Sequence, residues 1–291
     1  MASKKYCFKY ERSKDSMKKN ISIIIPSIRP KNLIKVYQSV QKSCSRYKFE
    51  IIIPSPYLIP EELLAKENVR FVHAYSWPSV AFQQAALLSN ADFIYNTTDD
   101  GLLQDGAIDL ALDLFYSNEL NDNDIINMKY VENVLDPDTL EETIHSDSCH
   151  PEIYWLAKAH HNLMEMKGIN PEWNIGCQFI MSLDKFYSLN GLNCIFENGN
   201  YSFLDLMFRC QMQGYKIINL PIIAYKASYL PERSGDHGPI HDSSVGPDIE
   251  NLKNIYCSDP PLISPHSYDN WKKYPSVWNK RFNENSLPIK K

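Results

Sequence analysis

Short apolar runs alternating with stretches of helical period constrain this chain more than any other feature. Ile21-Ser22-Ile23-Ile24-Ile25, Phe49-Glu50-Ile51-Ile52-Ile53, Val69-Arg70-Phe71-Val72-His73 and Ala91-Asp92-Phe93-Ile94-Tyr95 are brief and rich in β-branched or aromatic residues. Each reads as a buried strand. Pro26 stops the first and Pro54-Ser55-Pro56 ends the second. Between them, Pro30 suits the first turn of a helix, and Leu33, Tyr37, Val40 and Cys44 recur at helical spacing. A short helix follows from Pro60 to Lys66, and another from Ser79 to Ser89. The alternation predicts βαβ units and an α/β fold with a mainly parallel central sheet flanked by helices.

The fourth run leads directly into Thr98-Asp99-Asp100-Gly101. In open α/β sheets, ligands bind outside the carboxyl ends of the strands. Adjacent carboxylates there supply hard oxygen ligands for Mg²⁺ or Mn²⁺, which can hold a diphosphate. Asp-Gly is also a common turn dipeptide, and the spacing alone admits both readings. The βαβ pattern puts the pair on the rim where the metal reading needs it.

The second half is less uniform. Asp105 to Asn118 reads as a helix with Ile108, Leu112 and Phe115 on one face. Residues 119–150 are polar and irregular, a long surface excursion. Trp155 to Lys167 reads as a helix closed by Gly168, Cys177 to Met181 as a strand, and Leu183 to Leu189 as a helix. Ser202 to Gln213 is a further helix with Gly214 as its stop, and Lys216 to Tyr225 is a strand interrupted by Pro221. From Ala227 onward Pro, His, Asp and aromatics abound without a sustained period.

Composition narrows the class. With 44% hydrophobic residues in 291, the chain is globular and can bury a sizeable core. A net charge of −5 argues against a nucleic-acid partner. Residues 1–20 are basic, with Lys4, Lys5, Lys9, Arg12, Lys14, Lys18 and Lys19 against Glu11 and Asp15. This arm is read as a flexible solvated tail, with weak contact to an anionic membrane surface as the other use. Seven dispersed cysteines without a C-x-x-C pair point to reduced thiols. With no run near ~20 apolar residues and no apolar signal core, a cytoplasmic protein is expected.

Ile23-Ile24-Ile25-Pro26-Ser27-Ile28-Arg29, Thr98-Asp99-Asp100-Gly101 and the block from Trp173 to Gly214 together resemble a family 2 glycosyltransferase of the GT-A fold, as a divergent member. The resemblance implies residues 21–225 as catalytic domain, with a donor-binding half (21–110) and an acceptor half (111–225). Residues 226–291 would form a C-terminal lid and tail. It implies a nucleoside-diphosphate sugar as donor and a glycan- or lipid-linked hydroxyl as acceptor, with Mn²⁺ or Mg²⁺ as cofactor and an inverting outcome. Pro26, Ser27 and Arg29 would touch the donor, Asp99 would lie nearest the ribose, and Asp100 would bind the cation as part of a D-x-D-like motif. Gln83 stands about where the family often has an Asn packing behind the donor. Ser55 occupies the place of the family's base-binding Asp, which this chain lacks.

The family's Glu-Asp acceptor motif is also missing: Ser202 and Phe203 stand there, with only Asp205-Leu206 kept. Inverting transfer needs a group to take the acceptor proton. Asp205 is the first candidate, balanced against a helix-dipole role, and Glu197 is the second. Gly235-Asp236-His237-Gly238-Pro239-Ile240-His241-Asp242 has the make-up of a mobile lid that brings a metal ligand, His237 first and His241 second. Its alternative is a polar surface loop. His160, His161 and Glu165 read as a solvated helical face, and His145, Asp147, Cys149 and His150 as polar loop residues without zinc spacing. Trp77, Trp155 and Trp173 are core or sugar-stacking residues, Trp173 standing where the family lines its acceptor pocket. A sugar-phosphate nucleotidyltransferase would want a Gly-rich basic loop after the first strand, and Ser27-Ile28-Arg29-Pro30 has no glycine. A non-catalytic nucleotide-sugar-binding relative is the third reading.

Overall fold

The computed structural model describes residues 18–117, 120–121, 123–143, 155–156, 173–228, 237–244, 246–257 and 266–287. Most of the basic arm, the cluster from His145 to His150, and His160, His161, Glu165 and Gly168 lie outside the described residues.

The first half follows the expected alternation: β1 (Lys19–Ile24), α1 (Leu33–Ser43), β2 (Phe49–Ser55), α2 (Glu61–Leu64), β3 (Val69–His73), α3 (Pro78–Ala86) and β4 (Ala91–Asn96). β1 pairs in parallel with both β2 and β4, and β2 with β3. The chain therefore builds outward from β1 to β3 and then returns to the other side of β1. That reversal opens a crevice beyond the carboxyl ends of β1 and β4.

The second half comprises β5 (Gly101–Leu103), α4 (Ala107–Tyr116), β6 (Ile125–Asn127), β7 (Tyr130–Leu135), β8 (Trp155–Leu156), β9 (Asn174–Ile175), β10 (Phe179–Ser182), α5 (Leu183–Ser188), α6 (Gly199–Met212), β11 (Ile217–Asn219), β12 (Tyr225–Ser228), α7 (Gly238–Ser244) and α8 (Pro247–Tyr256). β10 runs antiparallel between β4 and β6, and β11 is parallel to β6. The central sheet thus has seven strands in the order β11-β6-β10-β4-β1-β2-β3. A smaller sheet, β5-β12-β7, stands beside it, and β8 pairs with β9.

Alternation along the strands supplies two apolar layers. Ile21, Ile23, Ile51, Ile53, Phe93 and Tyr95 face one side, against α1 and α4. Ile24, Ile52 and Ile94 face the other, against Phe82 and Ala85 of α3 and Leu206 and Met207 of α6. Burial on both faces is why these strands read as continuous apolar runs. The expected α/β class, a mainly parallel sheet flanked by helices, is the class observed.

Several expectations need correction. The presumed surface excursion at 119–150 contains β6, a central strand, and β7. Ile125-Ile126-Asn127 is too short to show a period, and only its sheet neighbours make it a strand. The span from Lys216 to Tyr225 is two strands in different sheets, separated around Pro221. Trp155-Leu156, expected to begin a helix, pairs as a strand with Asn174-Ile175. The aperiodic C-terminal region holds α7 and α8, and Leu252, Ile255 and Tyr256 of α8 pack on Leu204 and Phe208 of α6. Trp278 and Phe282 pack on Trp77, Val80 and Cys194. A backbone bond from Trp278 N to Tyr75 O (2.9 Å) ties this last segment beside the end of β3. Among the described residues, no helix is long and apolar enough to cross a membrane.

Candidate active site

Beyond Pro26 the chain leaves β1 with backbone N–H groups that no strand partner satisfies, and Asp99 satisfies them. Its Oδ2 accepts from Ser27 Oγ (2.8 Å), Ile28 N (2.8 Å) and Arg29 N (2.7 Å), and its Oδ1 from Arg29 Nη1 (2.7 Å). Asn32 Nδ2 donates to the Asp99 carbonyl (3.0 Å). An ionised carboxylate offers about four acceptor positions, and the β1–α1 loop supplies four donors, three of them converging on Oδ2. Asp99 is 2% exposed. It clamps the loops after β1 and β4 together, with three donors on Oδ2 and one on Oδ1.

Asp100 is only partly buried. Its Oδ1 accepts from Thr98 Oγ1 and, at 3.3 Å, from the Tyr225 hydroxyl, which also lies 2.7 Å from Thr98 Oγ1. Its carbonyl accepts from Ser228 N (2.8 Å). Among the described residues nothing hydrogen-bonds Oδ2. Gly101 makes this arrangement possible. A Cβ there would lie 2.3 Å from Cζ of Tyr225 and 2.4 Å from the Lys226 carbonyl. Burial first, and then the Asp100 charge, hold the Tyr225 hydroxyl far above its ordinary range, so it stays a neutral donor.

Asp100 opens onto a cavity of about 300 Å³ in the crevice at the carboxyl ends of β1 and β4. Pro26, Ser27 and Arg29 border it, as does His237, at the start of α7. Asp100 and His237, widely separated in sequence, thus border the same cavity. Residues it did not identify also border the cavity: Asn96, Gln178, Glu132 on β7, Asn198, and Trp278 and Arg281 from the C-terminal segment. Nothing in the local sequence pattern marks them: Gln178 lies in an expected strand, and Glu132 and Asn198 lie in stretches read as loops. Cys177 lines it too, its thiol pushed up to about 12 by burial and by the Glu132 charge, and so held unreactive.

Other expected site residues do not border the cavity. Ser55, buried, accepts from Tyr57 N (3.1 Å). Gln83 is fully buried, bridging Leu192 N (2.9 Å) and Tyr268 O (3.1 Å). His241 lies one turn into α7. Trp173, partly buried, packs on Phe208, centroids 5.3 Å apart.

Neither expected base reaches the cavity. α6 begins at Gly199, with Asn198 capping Asn200 N (2.8 Å), which places Asp205 well inside the helix. There it is 1% exposed and bonded to Arg209 Nε (2.8 Å) and the Tyr256 hydroxyl (2.9 Å). Glu197 Oε2 accepts from Ser243 Oγ, Trp278 Nε1 and Lys280 Nζ, each at 2.8 Å. Burial works to raise its carboxyl, but these donors outweigh it and pull it below the usual range, a poor setting for a base. Asp248 positions this turn by accepting from Glu197 N (3.0 Å) and Asn198 N (2.7 Å).

Among the described residues no group of three His, Cys, Asp or Glu side chains is placed to hold a metal ion. Asp100 and His237 are two potential donors on one cavity, which suits a hard cation that takes its remaining ligands from water and phosphate.

No protein-family model matches the chain, and no curated protein does. Among solved structures it is similar to S. aureus TarS 1–349, at 13% identity and a TM-score of 0.47, over 72% of this chain and 60% of that one. S. aureus TarS matches at 13% identity and 0.46, over 73% and 37%. TarS 1–349 in complex with UDP-GlcNAc matches at 12% and 0.47, over 75% and 60%. The chain thus spans at most about three fifths of these proteins, and likeness this remote assigns no activity.

Proposed function

We propose that this chain is a metal-dependent glycosyltransferase that moves a sugar from a nucleoside-diphosphate donor to a hydroxyl acceptor, a glycan or lipid-linked molecule, with inversion. The observation that carries the reading is the shared cavity of Asp100, His237 and the β1–α1 loop at the switch point of the sheet.

Asp100 and His237 would hold the cation, and an imidazole beside a carboxylate favours Mn²⁺ over the more strictly oxygen-seeking Mg²⁺. When bound, it supplies Lewis-acid neutralisation of the charge that develops on the leaving diphosphate. Thr98 and Tyr225 orient the Asp100 carboxylate. The Asp99 clamp holds Ser27 and Arg29 in the loop that faces the nucleotide.

Thermal-shift titration with uridine, guanosine and thymidine diphosphates, with and without Mn²⁺, tests the reading. A Mn²⁺-dependent stabilisation by at least one of them is expected, and Asp100→Ala is expected to abolish that dependence. Wild-type protein indifferent to every nucleotide would remove the proposal. A non-catalytic nucleotide-sugar-binding relative is the second reading, favoured by the absence of both Asp205 and Glu197 from the cavity. Nucleotide binding without release of nucleoside diphosphate from any donor sugar or acceptor would select it.

A further inference from the structure

We propose that the Ser76 hydroxyl reads the polar edge of the donor's nucleobase, in the lobe of the cavity walled by the C-terminal segment. The assignment rests on the transferase reading and deepens it.

Strand order sets the two ends of the cavity apart. Asp100 follows β4, whereas Ser76 lies in the loop after β3. β1 and β2 stand between these strands, so three strand spacings, roughly 14 Å, separate the two positions across the sheet. A diphosphate held at Asp100 sends its sugar one way and its nucleoside the other. The lining distinguishes the two directions. Beside Asp100 the walls are polar, with Thr98, Glu132 and Gln178, as a sugar bearing several hydroxyls requires. Towards Ser76 they become apolar: Pro54 and Pro56 after β2, Ala74 after β3, and Trp278 and Phe282 from the C-terminal segment. A nucleobase has apolar faces that stack on ring surfaces and a polar edge that needs a hydrogen-bond partner.

Ser76 is held in place from both sides. Before it, the Tyr75 carbonyl accepts from Trp278 N (2.9 Å), and the Tyr75 ring packs edge-on against Phe282, centroids 5.6 Å apart. After it, Trp77 Nε1 donates to the Cys194 carbonyl (3.1 Å). Ser76 itself borders the cavity and is 8% exposed, yet among the described residues its Oγ has no hydrogen-bond partner. A hydroxyl buried without a partner is destabilising, and in a folded protein it calls for a reason. The bound base supplies the missing partner, reached by a turn of the Ser76 side chain between staggered positions. A serine hydroxyl both donates and accepts, so it can meet a carbonyl or an N–H of the base.

The test titrates the full chain calorimetrically, with Mn²⁺, against the diphosphates of uridine, guanosine, thymidine, cytidine and adenosine. Ser76→Ala is expected to weaken the preferred nucleotide by about threefold to tenfold, the loss of one hydrogen bond. The other nucleotides should change by less than about twofold or stay unbound. Without nucleotide, Ser76→Ala should melt no lower than wild type, because the hydroxyl it removes is unpartnered in the empty protein. Preferred-nucleotide affinity within about twofold of wild type would overturn the assignment. So would a common loss across all the nucleotides, or a lower melting temperature of the empty variant. Wild-type protein that binds no nucleoside diphosphate would overturn the transferase reading and this one with it, and that failure shows before any variant is made.

Discussion

Asp99 directs one oxygen to Ser27, Ile28 and Arg29 and the other to the Arg29 guanidinium, whereas among the described residues nothing donates to one oxygen of Asp100. Adjacent residues of one type thus divide between holding the rim and facing the cavity. The division was not legible in the sequence, because it depends on where the β1–α1 loop passes. Asp205 makes the same point from the other direction. The sequence places the helix start at Ser202, with Asp205 in its first turn. With the helix starting at Gly199, it faces the core against Arg209 instead. Arg209 also donates to the carbonyls of Leu189 (2.5 Å) and Gly191 (2.7 Å). Asp205→Ala would leave that buried guanidinium without its counter-charge, at a cost of about 3 kcal/mol or more. Chemical denaturation should show this loss. A variant of wild-type stability would show that the pair contributes little.

Among the elements, the C-terminal segment is tied to the turn before α6 through one side chain as well as by its own packing. Glu197, in the turn before α6, gathers Ser243 from α7 and Trp278 and Lys280 from the tail on one oxygen. Trp278, Arg281 and Phe282 then form part of the cavity wall. Glu197→Gln removes the charge that attracts Lys280 and one acceptor's strength. Trypsin should then cut after Lys280 and Arg281 faster than in wild type, while amide exchange in β1, β2 and β4 stays unchanged. Equal cleavage rates would mean that the apolar contacts of Trp278 and Phe282 hold the segment by themselves.

Across the whole molecule, two buried groups give opposing responses to acid. Burial, followed by the Arg209 charge, lowers His266 from its ordinary 6.5 to about 4. The unfolded chain therefore binds a proton that the fold refuses, and stability is lost as pH falls from about 6.5 through about 4. Burial raises Asp248 from 3.8 to about 6, so its ionisation in the fold costs stability as pH rises through that interval. Removing either group should tilt the stability–pH curve in a known direction. Asp248→Asn leaves the His266 loss unopposed and makes the protein more acid-sensitive between pH 6.5 and 4. His266→Gln makes it less so. Melting temperatures across that range check both, and parallel curves for the two variants would contradict the burial of these groups.

What the sequence determined by itself was the βαβ half. β1, β2 and β4 are buried on both faces, so their apolar runs are continuous, and β1 to β4 lie within two residues of their expected limits. The same local pattern put Asp100 on the ligand rim. Tertiary structure decided which polar residue does what. Asp99 holds the rim because a distant loop turns its N–H groups toward it, and Glu132 faces the cavity because β7 pairs with β12. Three-residue strands such as β6 exist only through their neighbours. Local apolar pattern survives in a linear reading because each residue's burial follows from its own period. Hydrogen-bond partners and cavity walls depend on chain segments far apart in sequence, and no local period records them.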